Sequence, residues 1–489
     1  MMESSNKYTV MKFGGTSVDR MDAVGDLIEA GIGSGSVPVG VVSAFSGETN
    51  KFIQIAGSIN QDFRKFERPS QVAAYFSEII NGTVERAGKL LERDQFPESE
   101  REGVLRSMEG YLRVKVLDFA REILDLYPDN SDDGRQDILI EDRVVGLGEI
   151  FAAYVLANMM TVRSSLKKVY TDINLNDVLK INKRIDGPID QEKLYTQISS
   201  QIAKRIMGCV SRGELAIVTG YVGFVPGGIL QTIDRGYTDS TAAMTARGLK
   251  NLDPAAHVKL EIWKEVDGLM SADPRIVGNT VKLRTKAHYD EAAELSDLAG
   301  MKAINPHGIW VLDGQGIQIH VRNTSKPEGP GTLISMEDDQ EVDGVRFISG
   351  KKGQTTFRVS SSKMIEQKGV LARIFKPCAD LGISVGAIST SARTVVFSVD
   401  SSSARNVALV DVLSGIGKVE IKDGMAIICC IGSNLNQQPM DLKTRLSGIL
   451  AENGIRVDFD GGDGERNITF VIKEQDHDKA IRVLHKGIF

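Results

Sequence analysis

The stretch TVMKFGGTSV, residues 9–18, places a lysine and two glycines at the end of an apolar run. Gly14 and Gly15 make the turn after this run its most flexible part. A cation beside such a turn is typical of a phosphate site, but the common phosphate loop places its lysine after the glycines. Lys12 therefore belongs either to a different phosphate-handling fold or to the exposed end of a strand.

A second candidate is the stretch DRGYTDSTAA, residues 234–243. Asp239 and Ser240 are suitable caps for the alanine-rich helix that follows, and the free N–H groups at a helix start favour an anion. A capping role alone explains the aspartate. Arg235, four residues earlier, indicates more, because a guanidinium can bind a carboxylate through two parallel hydrogen bonds.

Further cations lie close to strand-like segments. LEIWKEVDGLMSADPR, residues 260–275, contains Lys264 and ends in Asp273-Pro274-Arg275, in which the aspartate suits an N-cap and the proline the first helical position. Lys302 follows in LAGMKAINPHG, residues 298–308. Each of these cations, taken singly, is more often a solvated surface charge than a ligand.

The elements that must position these residues alternate between strand and helix. YTVMKF, RMDAVGDLIEAGI and VPVGVVSAF predict a β-α-β order, and hence a mostly parallel sheet covered by helices. Residues 51–130 indicate a helical elaboration, and strands separated by helices continue to about residue 335. We therefore expect an α/β catalytic domain over residues 1–335.

The stretch NTSKPEGPGTLISMEDDQEVDG is the best linker candidate, because it is rich in glycine, proline and acids. Beyond it, LARIFKPCADLGISVGAIS is echoed by LSGILAENGIRVDFDG, and TVVFSVDSS by NITFVIKEQ. A helix, a Gly-Ile pair opening a strand and a partner strand thus occur twice. We predict two small α+β modules, at residues 336–420 and 421–489, which can be intertwined.

Bulk properties exclude several classes of function. The length of 489 residues fits about three domains, and a net charge of −6 without basic runs does not suit a nucleic-acid partner. The sequence shows neither a signal-peptide pattern nor a long apolar run, and its four cysteines form no metal pattern. We expect a cytoplasmic protein with reduced thiols and no membrane partner.

Seven blocks, in this order and spacing, resemble those of the aspartate kinases of the amino-acid kinase family: KFGGTSV, VVSAFSGETN, GLGE, TGYVG, DRGYTDSTAA, WKEVDGLMSADPR and GMKAINPHG. The resemblance covers nearly the whole chain, since that family also carries two C-terminal ACT modules. It implies a mostly parallel sheet between helices, followed by two ferredoxin-like modules. It also implies ATP-dependent phosphorylation of the L-aspartate β-carboxylate, the first step of the aspartate amino-acid pathway.

The resemblance assigns roles block by block. Lys12 and Asp239 are the expected catalytic residues, with the lysine against the transferring phosphoryl group and the aspartate orienting it. Glu149 would take the ammonium of the substrate and Arg235 a carboxylate. The residues assigned to the substrate are Ser43, Thr49, Glu149, Arg235, Gly236, Tyr237 and Thr238. Those assigned to the nucleotide are Lys12, Gly14, Gly15, Tyr221, Lys264, Glu265, Met270, Arg275, Lys302 and Ala303.

The implied chemistry needs positioning and charge neutralisation more than a strong base, because a carboxylate is already a nucleophile. The resemblance implies ATP with Mg²⁺, no direct side-chain ligand for the metal, and a homodimer formed through the ACT modules. Two alternatives stay open: another amino-acid kinase, of glutamate type, and a catalytically silent amino-acid sensor. The presence of Lys12, Glu149, Arg235 and Asp239 argues against the sensor.

The blocks also depart from the common family spelling. DRGYTD and WKEVDG are similar to a subset found in fungal enzymes and in bacterial enzymes attached to ectoine synthesis. Ala392 and Arg393 stand where relatives inhibited by lysine or threonine carry a Ser-Glu pair. The ammonium of an effector would meet a guanidinium there, unless Asp380 or Asp460 substitutes. We therefore expect weak or absent lysine feedback, with ACT modules retained mainly for dimerisation.

Overall fold

The computed structural model describes residues 6–62, 65–93, 96–126, 135–164, 168–175, 191–221, 236–297, 304–337, 344–364, 368–401, 403–437 and 441–489. The chain divides into two compact units. The first comprises Met1–Asp267 and His307–Leu333, and the second comprises Gly268–Pro306 and Ile334–Phe489. The second unit thus includes a segment that lies inside the catalytic domain expected from the sequence, and the boundaries of that expected domain stay a prediction.

The strands of the described residues are numbered in chain order. They are β1 Lys7–Phe13, β2 Val37–Val42, β3 Tyr170–Ile173, β4 Leu215–Thr219, β5 His257–Lys264, β6 Leu269–Met270, β7 Leu283–Arg284, β8 Lys286–His288, β9 Gln318–Asn323, β10 Thr332–Ser335, β11 Gly344–Ser360, β12 Val385–Thr390, β13 Thr394–Asp400, β14 Lys418–Ser433, β15 Val457–Gly461 and β16 Asn467–Lys473.

The α-helices of the described residues are numbered in the same way. They are α1 Gly15–Val18, α2 Met21–Gly33, α3 Glu48–Asp62, α4 Pro69–Ala73, α5 Ser77–Arg93, α6 Glu98–Leu126, α7 Arg135–Arg163, α8 Gln191–Ser211, α9 Tyr237–Leu252, α10 Pro274–Val277, α11 Tyr289–Asp297, α12 Pro306–Leu312, α13 Val370–Asp380, α14 Ser403–Ser414, α15 Leu442–Glu452 and α16 His477–Ile488.

The first unit contains six parallel strands in the order β3-β4-β2-β1-β5-β9. Their apolar runs suit a sheet that is covered by helices, and α2 packs on β2, α7 on β4 and α9 on β1 and β5. Val10, Val41 and Ile262 are accordingly buried in neighbouring strands. The predicted mostly parallel sheet is confirmed.

The parallel arrangement brings the carboxyl ends of β1, β2, β4 and β5 to one edge of the sheet. Lys12 lies opposite Val41 of β2 and Ile262 of β5, one residue before β1 ends. Ser43 follows β2 directly, and Lys264 is the last residue of β5. Ligands of open parallel α/β sheets bind at this edge, and the strand order brings Lys12, Ser43 and Lys264 to it.

Helix α7 lies in the core of the first unit. Its segment Ile140–Arg163 is long and apolar enough to cross a membrane by composition, but 83% of its most apolar window is buried inside the protein. Phe151 of α7 packs on Phe52 of α3, with ring centroids 6.0 Å apart, and Phe52 in turn packs on Phe76. This helix is therefore apolar because the protein itself surrounds it.

The second unit contains a six-stranded antiparallel sheet in the order β12-β13-β11-β14-β16-β15. β11 and β14 are long, with 17 and 16 residues, and their register shifts between Lys351 and Gln354. Two separate hydrophobic clusters lie along these strands, one around Ile348 and Ile428 and the other around Phe357. Each long strand therefore contributes to two cores.

The internal repeat predicted from the sequence is confirmed in this unit. α13 is followed by β12 and β13, and α15 by β15 and β16, with Gly382 and Gly454 between helix and strand. Both glycines have a positive φ, 62° and 70°, which is the left-handed conformation that commonly ends a helix. The vicinal pair Cys429 and Cys430 is buried in β14, as expected of small apolar residues, and is not bonded.

Candidate active site

Three charged side chains meet at the carboxyl edge of the parallel sheet. The Lys12 Nζ lies 2.8 Å from Oδ1 of Asp239, and the Lys264 Nζ lies 3.2 Å from Oδ2 of the same carboxylate. The Lys12 and Asp239 side chains are only 7% and 3% exposed, whereas that of Lys264 is 21% exposed. One buried carboxylate from α9 thus holds two ammonium groups, from β1 and β5.

The protonation of this cluster is set by its own charges. Burial acts to raise the pKa of Asp239, but Lys12 and Lys264 outweigh it and hold that pKa at about 2. Burial lowers the pKa of Lys264, and the positive charge of Lys12 lowers it further, against the attraction of Asp239. With all three groups ionised, the cluster carries one net positive charge in a largely dry place, an arrangement that favours an incoming anion.

The start of α9 differs from the sequence expectation. Helix α9 begins at Tyr237, with Gly236 as the N-cap in the left-handed conformation at φ 102°, so Asp239 lies inside the first turn and does not cap the helix. Only glycine adopts that backbone conformation readily. The Asp239 side chain is consequently available to the two lysines. The prediction of a capping aspartate was wrong.

The turn after β1 lies close to this cluster. A Cβ built on Gly14 would lie 3.6 Å from the Lys12 Nζ, and one built on Gly15 would lie 2.8 Å from the Ala44 carbonyl oxygen. The second distance is shorter than real Cβ atoms show, so only glycine lets the two loops approach this closely. The N–H of Gly14 also points to the Trp263 carbonyl at 3.5 Å. Gly15 therefore packs the turn against the loop that follows β2.

A fully buried acid lies beside the cluster. Glu149 of α7 accepts hydrogen bonds at Oε1 from the hydroxyls of Ser43, at 3.4 Å, and Thr238, at 3.3 Å. Burial raises the pKa of Glu149 to about 8, although Tyr237, Thr238, the Ala44 amide and the more remote charge of Lys12 act to lower it. Its hydrogen-bonding neighbours are neutral, so a ligand that brings its own positive charge would stabilise the ionised carboxylate.

Aromatic packing fixes the residues around this acid. The rings of Tyr221 and Tyr237 meet edge to face, with centroids 5.3 Å apart and planes at 90°. Tyr221 also covers Gly146 of α7, where a built Cβ would lie 2.7 Å from the ring. The structure thus places Tyr221 beside the Glu149 pocket. Its assignment to the nucleotide stays a prediction.

The remaining assigned residues are more scattered. Thr49, the second residue of α3, is half-buried, whereas Glu265 is exposed and accepts from the Ser325 hydroxyl at 2.7 Å. Met270 and Arg275 belong to the second unit, where Arg275 is 88% exposed and pairs with Asp273, the N-cap of α10. Their assignments stay predictions. Three further assigned residues lie outside the described residues: Arg235, Lys302 and Ala303.

Two buried hydroxyl groups of this region, those of Ser17 and Thr324, were not predicted to contribute to the site. The Ser17 hydroxyl lies 2.8 Å from the Thr324 hydroxyl and 3.3 Å from the Trp263 carbonyl, and it ties the turn after β1 to β5 and β9. Ser17 belongs to the KFGGTSV block, so its place next to the two glycines could have indicated that it contributes to the site. Thr324 carries no local signal, because only the tertiary fold brings it there.

Direct metal ligands do not gather here in the described part of the chain. No group of three histidine, cysteine, aspartate or glutamate side chains among those residues is arranged to hold a metal ion. Both carboxylate oxygens of Asp239 already face lysine ammonium groups. What the arrangement can do is neutralise and orient an anion at one end and receive a cationic group at the other.

Comparison with known proteins defines the class. The model of the amino acid kinase family matches residues 7–323, which include β1, the lysine cluster and Glu149. The chain therefore belongs to the amino acid kinase family.

Within that family the chain is similar to aspartokinases. An aspartokinase of Schizosaccharomyces pombe is 30% identical over 71% of this chain and 69% of the relative. An aspartokinase of Candida albicans is 27% identical over 98% of this chain and 89% of the relative. A crystal structure of Escherichia coli aspartokinase III in complex with aspartate and ADP, at 23% identity, has the same fold, with a TM-score of 0.72 over 99% of this chain and all of that one. The resemblance to aspartate kinases is thereby confirmed.

Proposed function

We propose that the protein is an aspartate kinase, which transfers the γ-phosphoryl group of ATP to the β-carboxylate of L-aspartate. The observation that carries this conclusion is the pairing of two unlike subsites at one sheet edge. The first is the positively charged cluster of Lys12, Asp239 and Lys264. The second is the buried Glu149, whose hydrogen-bonding partners Ser43 and Thr238 are neutral, so that its carboxylate can take a cationic ligand. Such a reaction opens the biosynthesis of amino acids from aspartate.

The transfer brings the β-carboxylate of aspartate close to the triphosphate of ATP, and the positive charge of the cluster reduces the repulsion between these two anions. A β-carboxylate oxygen of aspartate forms a bond to the γ-phosphorus while the bond from that phosphorus to the β–γ bridging oxygen breaks, and ADP leaves. Phosphoryl transfer of this kind depends on positioning and on neutralising charge. Lys12 supplies an ammonium where the phosphoryl group passes, and Asp239 holds that ammonium in place.

Aspartate would be held by its charges. Its ammonium would pair with Glu149, which then ionises, and Ser43 and Thr238 keep the Glu149 carboxylate in place. Thr49, Gly236 and Tyr237 complete the proposed pocket. Arg235 would bind a substrate carboxylate, and this role rests on the family resemblance.

The nucleotide would lie on the side of the turn after β1. Gly14, Gly15 and Lys264 would face the phosphates, and the remaining nucleotide assignments rest on the family resemblance. Magnesium prefers several waters, one or two carboxylates and substrate phosphates. Because Asp239 is held by two lysines, we expect Mg²⁺ to enter with the nucleotide, bound mainly by phosphate oxygens and water, where it would neutralise phosphate charge.

The test is turnover by the purified full chain. With ATP, Mg²⁺ and L-aspartate, the enzyme should release ADP, and hydroxylamine should trap the acyl phosphate as a hydroxamate. L-Glutamate in place of L-aspartate, and a reaction without acceptor, are the controls. No aspartate-dependent ADP release would contradict the proposal, and equal rates with glutamate would support the glutamate-type alternative.

We further propose a cytoplasmic homodimer with weak lysine feedback. The four cysteines are buried and unbonded, as suits a reducing compartment. Leu371 of α13 and Val407 and Val412 of α14 are large apolar side chains with 47%, 63% and 51% exposure. Such a surface on neighbouring helices suits contact with a second copy. Light scattering of the purified chain would give the mass.

A further inference from the structure

An arginine on the helical segment outside the parallel sheet contacts both loops of the candidate site. Arg86 of α5 places its Nη1 3.2 Å from Oδ1 of Asp19 and 3.6 Å from Oε1 of Glu48. Its guanidinium also lies over the ring of Phe45, 5.1 Å from the centroid. Asp19 follows α1 directly, whereas Phe45 and Glu48 belong to the loop that follows β2 and the start of α3.

The loop of residues 43–49, here called the β2 loop, contains two residues of the proposed aspartate pocket, Ser43 and Thr49. Hydrogen bonds restrain the conformation of the β2 loop. Ser46 donates its N–H to Oδ1 of Asp19 at 3.2 Å, and Glu48 donates its N–H to the Phe45 carbonyl at 3.1 Å. The loop therefore closes on itself and on Asp19.

The β2 loop also touches both subsites. The Ala44 carbonyl oxygen abuts Gly15, and the Ala44 Cβ would lie 3.0 Å from a Cβ built on Gly148, next to Glu149. A displacement of this loop would therefore move Ser43 relative to Glu149. Such close contacts transmit small shifts, because well-packed interiors deform little.

Glu48 makes Arg86 necessary. The Glu48 side chain is only 5% exposed, and burial raises its pKa to about 7 against the attraction of Arg86 and Lys51, with Asp19 acting in the same direction as burial. Without Arg86, Glu48 would stay buried either as a charge without compensation or as a protonated acid that no longer ties the loop to a cation. The position of the β2 loop, which carries the buried Glu48, therefore depends on Arg86 of α5.

We infer that Arg86 is a positioning residue for aspartate binding, which holds the β2 loop against α1 through Phe45, Glu48 and Asp19. The inference rests on the proposed function, because the β2 loop matters only if Ser43 and Thr49 face the substrate. Two of the three contacts of Arg86 are to the β2 loop, so its loss should act on aspartate more than on ATP.

The experiment measures KM for each substrate in Arg86→Gln and in a matched control. Arg93→Gln removes an arginine from the same helix, two turns further on, whose partner is Asp22 at 2.8 Å. We expect Arg86→Gln to raise KM for aspartate about tenfold, as misplacing a binding group does, with KM for ATP changed by less than about twofold. Arg93→Gln should leave both unchanged.

A double variant tests whether Glu48 is the partner. Glu48→Gln removes the acid that Arg86 pairs with. The double variant Glu48→Gln/Arg86→Gln should therefore have a KM for aspartate no higher than that of the single variants, which is the non-additive result expected of contacting residues. Additive effects on KM would overturn the inference. If Arg86→Gln does not fold, Arg86→Met, which keeps an unbranched side chain but removes the cation, replaces it, and an unchanged KM for aspartate in Arg86→Met would likewise overturn the inference.

The two proposals fail differently. If the wild-type protein releases no ADP in the presence of aspartate, the proposed function fails and the role of Arg86 fails with it. If the wild type is active but Arg86→Gln keeps a normal KM for aspartate, or raises KM for both substrates equally, only the role of Arg86 is wrong.

Discussion

Binding of aspartate to the nucleotide-free protein should release a proton from Glu149. Burial raises the pKa of this acid to about 8, so the carboxyl group is mostly protonated at pH 7 before the ligand arrives. The ammonium of aspartate pairs with the ionised carboxylate and therefore has to displace the proton. With this sign, affinity for aspartate rises with pH through the pKa of Glu149, until the ammonium of aspartate itself loses its proton.

The magnitude follows from the distance between the pH and that pKa. At pH 7, one unit below a pKa of about 8, deprotonation costs about 1.4 kcal/mol, so aspartate should bind about tenfold more weakly than at a pH well above 8. Binding at pH 7 should release about 0.9 proton per site, and at pH 9 about 0.1, since the group is then ionised already.

Calorimetry measures this proton directly. Titrations with aspartate at pH 7 in two buffers of different ionisation heat give the number of protons released, and the same titrations at pH 9 give the comparison. Glu149→Gln is the control, because the amide keeps the shape but cannot ionise; it should bind aspartate about 10-fold to 100-fold more weakly, the worth of a hydrogen bond to a charged group, without proton release. Wild-type release near zero at pH 7, or equal release by Glu149→Gln, would refute the assignment of Glu149 to the ammonium.

Three further outcomes are expected. Lys12→Ala should lose on the order of 100-fold or more in turnover, since one transition-state donor is worth about 3–4 kcal/mol; near-normal ADP release would remove Lys12 from the mechanism. Gly248→Ala should destabilise the fold by about 3 kcal/mol in chemical denaturation, because its built Cβ overlaps the Ser199 carbonyl oxygen, whereas Gly208→Ala in the facing helix meets nothing closer than 3.9 Å and should stabilise it by about 0.5–1 kcal/mol. Equal effects of the two glycine changes would contradict this packing. Millimolar lysine at sub-saturating aspartate should leave most of the activity, since the exposed Arg393 repels an ammonium, and strong inhibition would be the contrary result.

Much of the fold could be predicted from the sequence because its signals are local. The apolar runs around Val10 and Val41 indicate buried parallel strands, and the repeated helix–glycine–strand order around Gly382 and Gly454 indicates the two modules. Lys12 could be placed at a strand end, since the same run of residues contains the strand and the turn.

The rest depends on contacts between distant segments. Asp239 was expected to cap α9, which would then begin at Ser240. No local pattern indicates that the helix begins three residues earlier, at Tyr237, with Asp239 facing two lysines from β1 and β5. The environment of Glu149 arises from β2, α7 and α9 together, so its raised pKa has no sequence signature. Arg86 and Glu48 are brought together by the packing of α5 on the β2 loop, and neither residue shows this by itself.

The segment that forms one hydrophobic cluster of the second unit lies inside the segment that forms the other. The chain leaves the cluster around Ile348 near Lys351, builds the cluster around Phe357, and returns near Met425, and these two crossing points are close neighbours in the β11–β14 ladder, where Lys351 pairs with Ile427 and Gln354 with Met425. The module around Phe357 is thus inserted into the chain of the module around Ile348, and the two ends of the inserted module lie side by side in the ladder. Because both ends of the inner module lie at one position of the ladder, its removal would leave the order of strands in the outer module unchanged.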